Sequence, residues 1–285
     1  MDFVKMHGLG NDFVCLDHFL FSPEINYPEL SRRLCHRQLG IGGDGLIAIL
    51  PSRRADARMR IFNPDGSEPE MCGNGIRCFA RYVYDAGYVP KETMSIETLA
   101  GILTVKLEIE NNRFEAATVC MGKPILVPKL IPVLSDGESP LVEQELEVGG
   151  RKLLITPVSM GNPHCVVFVE DFKMLDFELL GPALEKHPYF PQKTNVEFVK
   201  VENPRELTVK VWERGAGPTL ACGTGACASL VAAVLAGRSE RKAIVHLPGG
   251  DLKVEWGQDD LVYMTGPAAY VFRGQILDES LVDNL

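Results

Sequence analysis

The chain has no C-x-x-C pair, no lysine- or arginine-rich run, no apolar leader core and no long unbroken apolar stretch. Each absence removes a class of protein. Structural zinc sites and dithiol redox motifs rest on closely spaced cysteines, and the spacings Cys72/Cys78 and Cys222/Cys227 do not fit them. No metal is expected. With 38 acidic against 29 basic residues the formal charge is −9, and the densest basic spots are pairs such as Arg32-Arg33 and Arg53-Arg54. Nucleic acid and anionic membrane surfaces therefore find no matching patch. The opening MDFVKMHGLGND lacks the apolar segment of a secretory leader. The longest uncharged run, near residues 215–237, is broken by glycines and a proline, which argues against a membrane span. The expected location is the cytoplasm, with the eight cysteines reduced.

What the chain does have is room and repetition. Its 285 residues, 46% hydrophobic and 24% charged, suffice for two domains with separate cores. Residues 71–75 read MCGNG, and residues 221–225 read ACGTG. RIFNPDGSEPEMCGNG (60–75) and KVWERGAGPTLACGTG (210–225) align without a gap at an offset of 150 positions. Phe62 meets Trp212, Asn63 meets Glu213, and Gly73 and Gly75 meet Gly223 and Gly225. The apolar segments that follow both end in Ala-Gly, at Ala86-Gly87 and Ala236-Gly237. Upstream, Gly10-Asn11 matches Gly161-Asn162; downstream, ETLAGILTVKLE (97–108) resembles VHLPGGDLKVEW (245–256). Two copies are too few for a solenoid, so the repeat implies two similar domains related by a rough two-fold axis.

Short runs rich in Val, Ile and Thr predict strands at 46–50, 57–62, 102–109, 152–158, 165–169, 196–201, 207–212, 243–247 and 261–266. Longer apolar segments after each CG-x-G predict helices. The second carries no charge from Ala226 to Ala236 and reads as buried all round. The first places Arg77, Arg81 and Asp85 four apart, which predicts one polar face. The stretch from about Met121 to Gly150 reads as a crossing between domains.

Glycines before a helix let a ligand approach the backbone, and the first helical N–H groups favour an anion. A cysteine there is expected to gain thiolate character. Such a turn can hold a substrate carboxylate and set an acid/base sulfur beside it. Two such turns facing one cleft suit inversion of a stereocentre. One sulfur takes the α-proton from one face, and the other delivers a proton to the opposite face. A protease or acyltransferase needs only one nucleophile. No pyridoxal-phosphate signature is evident, so a cofactor-free mechanism is expected.

The stretches KMHGLGNDFV (5–14), RIFNPDGSEPEMCGNGIRCFARYV (60–83), MGNPHCVVFV (160–169) and VWERGAGPTLACGTGACA (211–228) closely resemble diaminopimelate epimerases, in motif order and spacing over nearly the whole chain. The resemblance implies an α+β fold of two pseudo-symmetric domains, each a barrel-like antiparallel sheet around a central helix, with the active site in the cleft between them. The implied domains are 1–120 plus about 268–285, and 121–267. The implied activity is pyridoxal-independent interconversion of LL- and meso-2,6-diaminopimelate, in lysine and peptidoglycan-precursor synthesis. The implied partners are a small amino-acid substrate and, as a homodimer, a second copy of the chain.

Carried over by motif, Cys72 and Cys222 are the two acid/base thiols, and His164 and Glu213 tune them. Asn11, Asn63, Gly73, Asn74, Asn162, Asn195, Glu213, Arg214, Gly223 and Thr224 match substrate-binding positions. Some members carry glutamine where GIGGDGLI (40–47) has Gly45, which offers no side-chain contact. The other cysteines read as small core residues, and Asp44 and Asp65 as structural turn residues. Two alternatives stand beside this reading. One is a proline or hydroxyproline racemase or epimerase, whose motifs typically read MCGHG and DRSPCGTG. The other is a non-catalytic amino-acid-binding or thiol-redox protein.

Overall fold

The computed structural model describes residues 1–21, 24–137 and 139–277. They form two compact units, Met1–Cys120 with Thr265–Leu285, and Met121–Met264. Of the returning segment, 278–285 lie outside the described residues.

The first unit runs β1 (Asp2–Gly8), β2 (Asn11–Asp17), α1 (Tyr27–Leu34), β3 (Gly45–Leu50), β4 (Ala57–Phe62), α2 (Gly73–Asp85), β5 (Thr93–Thr98), β6 (Gly101–Glu110) and β7 (Arg113–Cys120). The second repeats the plan with β8 (Gln144–Val148), β9 (Arg151–Ser159), β10 (Pro163–Phe168), α3 (Phe177–Glu185), β11 (Asn195–Asn203), β12 (Glu206–Glu213), β13 (Gly217–Thr219), α4 (Gly223–Leu235), β14 (Lys242–Leu247), β15 (Gly250–Trp256) and β16 (Val262–Gly266). The chain then adds β17 (Ala269–Gln275), antiparallel to β1.

The strand order explains why a helix sits at each centre. β1/β2, β3/β4 and β5/β6 are antiparallel, but β2/β3 and β4/β5 are parallel. A parallel pair needs a crossover, and here the crossovers are α1 and α2. The second unit repeats this with parallel β10/β11 and β12/β14, crossed by α3 and α4. The strands are mostly antiparallel, as expected, with two parallel pairs in each unit. α2 packs against β1, β2, β3, β4, β6 and β7, and α4 against β9, β10, β11, β12, β14 and β15. Each central helix is wrapped by its own strands.

Local chemistry sets the helix ends. Cys72 (φ −138°) and Cys222 (φ −124°) are extended N-caps. Gly87 and Gly237, at φ +73° and +67°, close the C-termini in a conformation that favours glycine. α4 is buried from Gly225 to Ala233; each Val or Leu there contributes about 1.5–3 kcal/mol over an exposed position. Arg77 departs from the expected polar face of α2. It is fully buried, donating from Nε to Pro267 O (3.1 Å), from Nη1 to Gly73 O (2.9 Å) and from Nη2 to Asn74 Oδ1 (2.9 Å).

Both parallel strands β3 and β11 are buried on two faces. The outer face of β3 (Leu46, Ala48, Leu50) packs with Leu30 and Leu34 of α1. The outer face of β11 (Val196, Phe198) packs with Leu180 and Leu184 of α3. The stretch read as an inter-domain crossing instead joins this second core. Ile131, Val133, Leu141, Leu146 and Val148 pack there, the last two as alternate residues of β8, which pairs with β9.

Candidate active site

In the first unit the β1–β2 hairpin turns on Leu9 and Gly10, both at positive φ (56° and 87°). This two-residue turn delivers Asn11 to the head of α2. Cys72 Sγ accepts from Gly75 N at 3.4 Å, so the sulfur satisfies one of the helix's free N–H groups. Asn11 Oδ1 accepts from Asn74 Nδ2 at 3.1 Å and lies 3.8 Å from Cys72 Sγ. Asn11 Nδ2 donates to Asp44 Oδ2 at 2.9 Å. Asp44 also accepts from Asp12 N (3.1 Å) and from Arg37 (2.7 Å). Asp44 is thus more than a turn residue: it fixes which end of the Asn11 amide faces the thiol.

Asn63 stands apart from this cluster. Its Nδ2 donates to Ser67 Oγ at 2.9 Å within the turn after β4. Gly45 leaves little room for a side chain, since a Cβ there would stand 2.8 Å from Phe62 O. The glutamine of some relatives would require the backbone to shift.

The second unit builds the same head with different anchors. Cys222 Sγ accepts from Gly225 N at 3.4 Å and lies 3.5 Å from Thr224 Oγ1. Asn162 Nδ2 donates to Thr224 Oγ1 at 3.4 Å, and Asn162 Oδ1 faces His164 Nε2 at 3.0 Å. His164 Nδ1 meets Glu197 Oε1 at 2.7 Å, with both side chains fully buried. Glu213 Oε1 accepts from Thr219 Oγ1 at 2.6 Å. Asn195 Oδ1 accepts from Arg214 N at 2.9 Å, and Asn195 Nδ2 donates to Pro163 O at 2.9 Å. The exposed Arg214 guanidinium donates from Nη1 to Gln192 O at 3.2 Å.

The electrostatics overturn one expectation. A helix-start cysteine should gain thiolate character, yet burial pushes the Cys222 thiol well above its ordinary value. The Glu213 and Glu197 carboxylates push it further, outweighing Thr224 and the Gly225 N–H. Burial also raises the Glu213 carboxyl, against bonding from Thr219. Cys222 is only 6% exposed, whereas Cys72 is half-buried. Cys15, Cys35, Cys78, Cys165 and Cys227 are buried; Cys120 is half-exposed, unlike a core residue. Among the described residues no cluster of three or more His, Cys, Asp or Glu could hold a metal ion, and no helix is long and apolar enough to cross a membrane.

A family model described as diaminopimelate epimerase matches residues 3–127 and 156–271. The chain belongs to the diaminopimelate epimerase family. The family's diaminopimelate epimerase of Desulfitobacterium hafniense is 66% identical over 283 residues, 99% of this chain and 100% of the relative. That of Moorella thermoacetica is 57% identical over 275 residues, 96% of this chain and 98% of the relative. Two more distant crystal structures share the fold. A hydroxyproline epimerase from Agrobacterium vitis has a TM-score of 0.71 at 17% identity, covering 99% of this chain and 94% of that one. A PhzF-family phenazine biosynthesis protein from Bacillus anthracis has a TM-score of 0.70 at 17% identity, covering 98% and 99%. The motif reading missed Glu197, Arg37 and the role of Asp44. Only Glu197 had a visible signal, a lone acid between Val196 and Phe198 in a strand otherwise apolar there.

Proposed function

We propose that this chain epimerises LL-2,6-diaminopimelate to meso-2,6-diaminopimelate by proton transfer through Cys72 and Cys222, in lysine and peptidoglycan-precursor synthesis. Family membership supports the substrate and reaction. One observation supports the two-thiol chemistry: the same device occurs twice, a cysteine N-cap whose sulfur takes the third helical N–H at 3.4 Å. Inversion needs a proton to leave one face of the α-carbon and another to arrive at the opposite face, so it needs two such groups. The N–H groups of Gly73-Asn74 and Gly223-Thr224 are suited to the reacting carboxylate, and they stabilise the charge that develops as the α-proton leaves.

Burial and two carboxylates favour the protonated form of Cys222, which suits it to donate the proton in one direction while Cys72 takes one. In the reverse reaction the roles exchange. Asn11, Asn63, Asn162, Asn195, Glu213 and Arg214 read the rest of the zwitterion, since asparagine both donates and accepts and arginine forks toward a carboxylate. A cytoplasmic homodimer, without nucleic acid or membrane as partner, is the assembly carried over from the motif reading and the −9 charge.

The test is α-proton exchange. LL- or meso-diaminopimelate incubated in D2O with the enzyme should acquire deuterium at the inverting α-carbon. Proline and glutamate run alongside should not. Cys72→Ala and Cys222→Ala should each abolish epimerisation. Full activity in either variant sinks the two-thiol mechanism, and turnover of proline in place of diaminopimelate sinks the substrate assignment.

A further inference from the structure

The two units share one strand frame, and at one place in it they differ in kind. In the first, Phe13 of β2 lies opposite Gly45 of β3, and a Cβ on Gly75 would look onto Ile47 Cδ1 at 3.4 Å. In the second, His164 of β10 lies opposite Asn195 of β11, and a Cβ on Gly225 would look onto Glu197 Oε1 at 2.7 Å. Leu46 pairs with Phe62 and Val196 with Trp212, which fixes the correspondence. The buried apolar pair Phe13 and Ile47 in one unit is thus the buried polar pair His164 and Glu197 in the other.

The fold needs no polarity there, because the first unit builds the same frame from hydrocarbon. A buried carboxyl–imidazole pair is commonly no more stable than the apolar pair it replaces. Glu197 adds a further cost: its Oε2 is buried without a hydrogen-bond partner among the described residues. A feature that the frame can do without points to a task.

Donor accounting identifies the task. The ring of His164 faces Glu197 Oε1 at 2.7 Å and Asn162 Oδ1 at 3.0 Å. One proton lies in the Glu197 contact, on nitrogen or on oxygen. Either way Nε2 must carry a proton of its own to donate to Asn162 Oδ1. That donation turns the Asn162 NH2 toward Thr224 Oγ1. Thr224 then has its hydroxyl hydrogen free for Cys222 Sγ, 3.5 Å away. In the first unit the anchor has the opposite polarity. Asp44 accepts from Asn11 Nδ2, so the Asn11 carbonyl faces Cys72.

We infer that Glu197 is a positioning residue: by holding His164 with Nε2 protonated, it locks the Asn162 amide with its NH2 toward Thr224 and the head of α4. The titratable groups that act on the ring are Glu197 on β11 and Glu213 on β12; beside His164 on β10 is Cys165, whose thiol burial raises. The activity arm of the test rests on the epimerase reading; the spectroscopic arm does not.

Nitrogen-15 NMR of histidine-labelled wild-type protein, with His164→Gln for assignment, should show a proton on Nε2 of His164 at neutral pH. An unprotonated Nε2 in the wild type overturns the inference. Glu197→Ile, which installs the first unit's residue, should lower kcat about 30-fold or more with a smaller change in KM, as loss of an orienting contact does. In the His164→Gln background the same substitution should change kcat less than about threefold, because Glu197 acts through His164. Equal losses in both backgrounds overturn it. The double variant His164→Phe/Glu197→Ile should melt no lower than the wild type while epimerising at least about 30-fold more slowly. Wild-type kcat in that folded double variant overturns the inference, whereas absence of epimerisation by the wild type itself would refute the functional reading instead.

Discussion

Alanine at Gly225 and alanine at Gly75 should behave differently, although both sit at the third position of a central helix. Neither glycine has a positive φ, so alanine brings no backbone strain and favours the helix by up to about 1 kcal/mol. The difference lies in what the new methyl meets. At Gly75 it would stand 3.0 Å from Ile61 Cδ1 and 3.4 Å from Ile47 Cδ1, two mobile methyl tips. Small rotations relieve that, and Gly75→Ala should stay within about 1 kcal/mol of wild type. At Gly225 the methyl would stand 2.7 Å from Glu197 Oε1 and 3.3 Å from Cys222 Sγ. Glu197 cannot retreat without leaving His164, which it meets at 2.7 Å. Overpacking costs about 1–3 kcal/mol, and breaking a buried pair adds up to about 3–5 kcal/mol. After the helix gain, a net loss of about 3 kcal/mol is expected, or a melting temperature lower by about 6–12 °C. Thermal melts by circular dichroism, with kcat on diaminopimelate beside them, measure both effects. Equal melting temperatures and equal kcat for the two variants would refute the steric argument and the close approach of Glu197 to α4.

Other outcomes follow from single contacts. Iodoacetamide at neutral pH, followed by peptide mapping, should label Cys72 before Cys222, since burial and two carboxylates keep the Cys222 thiol protonated; the reverse order would contradict the assignment of Cys222 as donor. Arg77→Met should lower the unfolding free energy by about 3–5 kcal/mol in urea titrations, because the buried acceptors Gly73 O and Asn74 Oδ1 and the part-buried Pro267 O lose a charged donor. Burial alone would raise the Asp12 carboxyl, but Lys5 and Arg37 outweigh it and lower it. Its contribution to stability is therefore complete above the unfolded value of about 3.9 and is lost as pH falls through the lower folded value. Asp12→Asn should melt below wild type at pH 6, and the gap should close below about pH 4; a gap independent of pH would refute the ion-pair account.

How much of this was legible beforehand depended on range. The helix starts at Cys72 and Cys222 and the glycine stops at Gly87 and Gly237 follow from local backbone chemistry, and both were readable. So were nine of the strands, β3, β4, β6, β9, β10, β11, β12, β14 and β16, whose Val-, Ile- and Thr-rich runs are a local signal; the remaining strands, such as β1, β2 and β17, carry a weaker one. Arg77 was misread because spacing shows which residues share a helix face but not what covers it. The carbonyls of Gly73 and Pro267 and the Asn74 amide cover it here. The 121–150 stretch was misread for a similar reason: its apolar residues are scattered, and their partners lie on β9 and in the second core.

The doubled CG-x-G motif, its offset and its family were determined by sequence alone, because a repeat is a property of order along the chain. The protonation preference of Cys222 was decided only by tertiary structure. Both cysteines have the same local setting, a glycine turn at a helix start, which by itself favours thiolate. Desolvation and two carboxylates from β11 and β12 reverse that preference at Cys222. His164 and Glu197, 33 positions apart, meet only through the register of β10 on β11. Charge and solvation act through space, so the asymmetry between two nearly identical motifs had to wait for the fold.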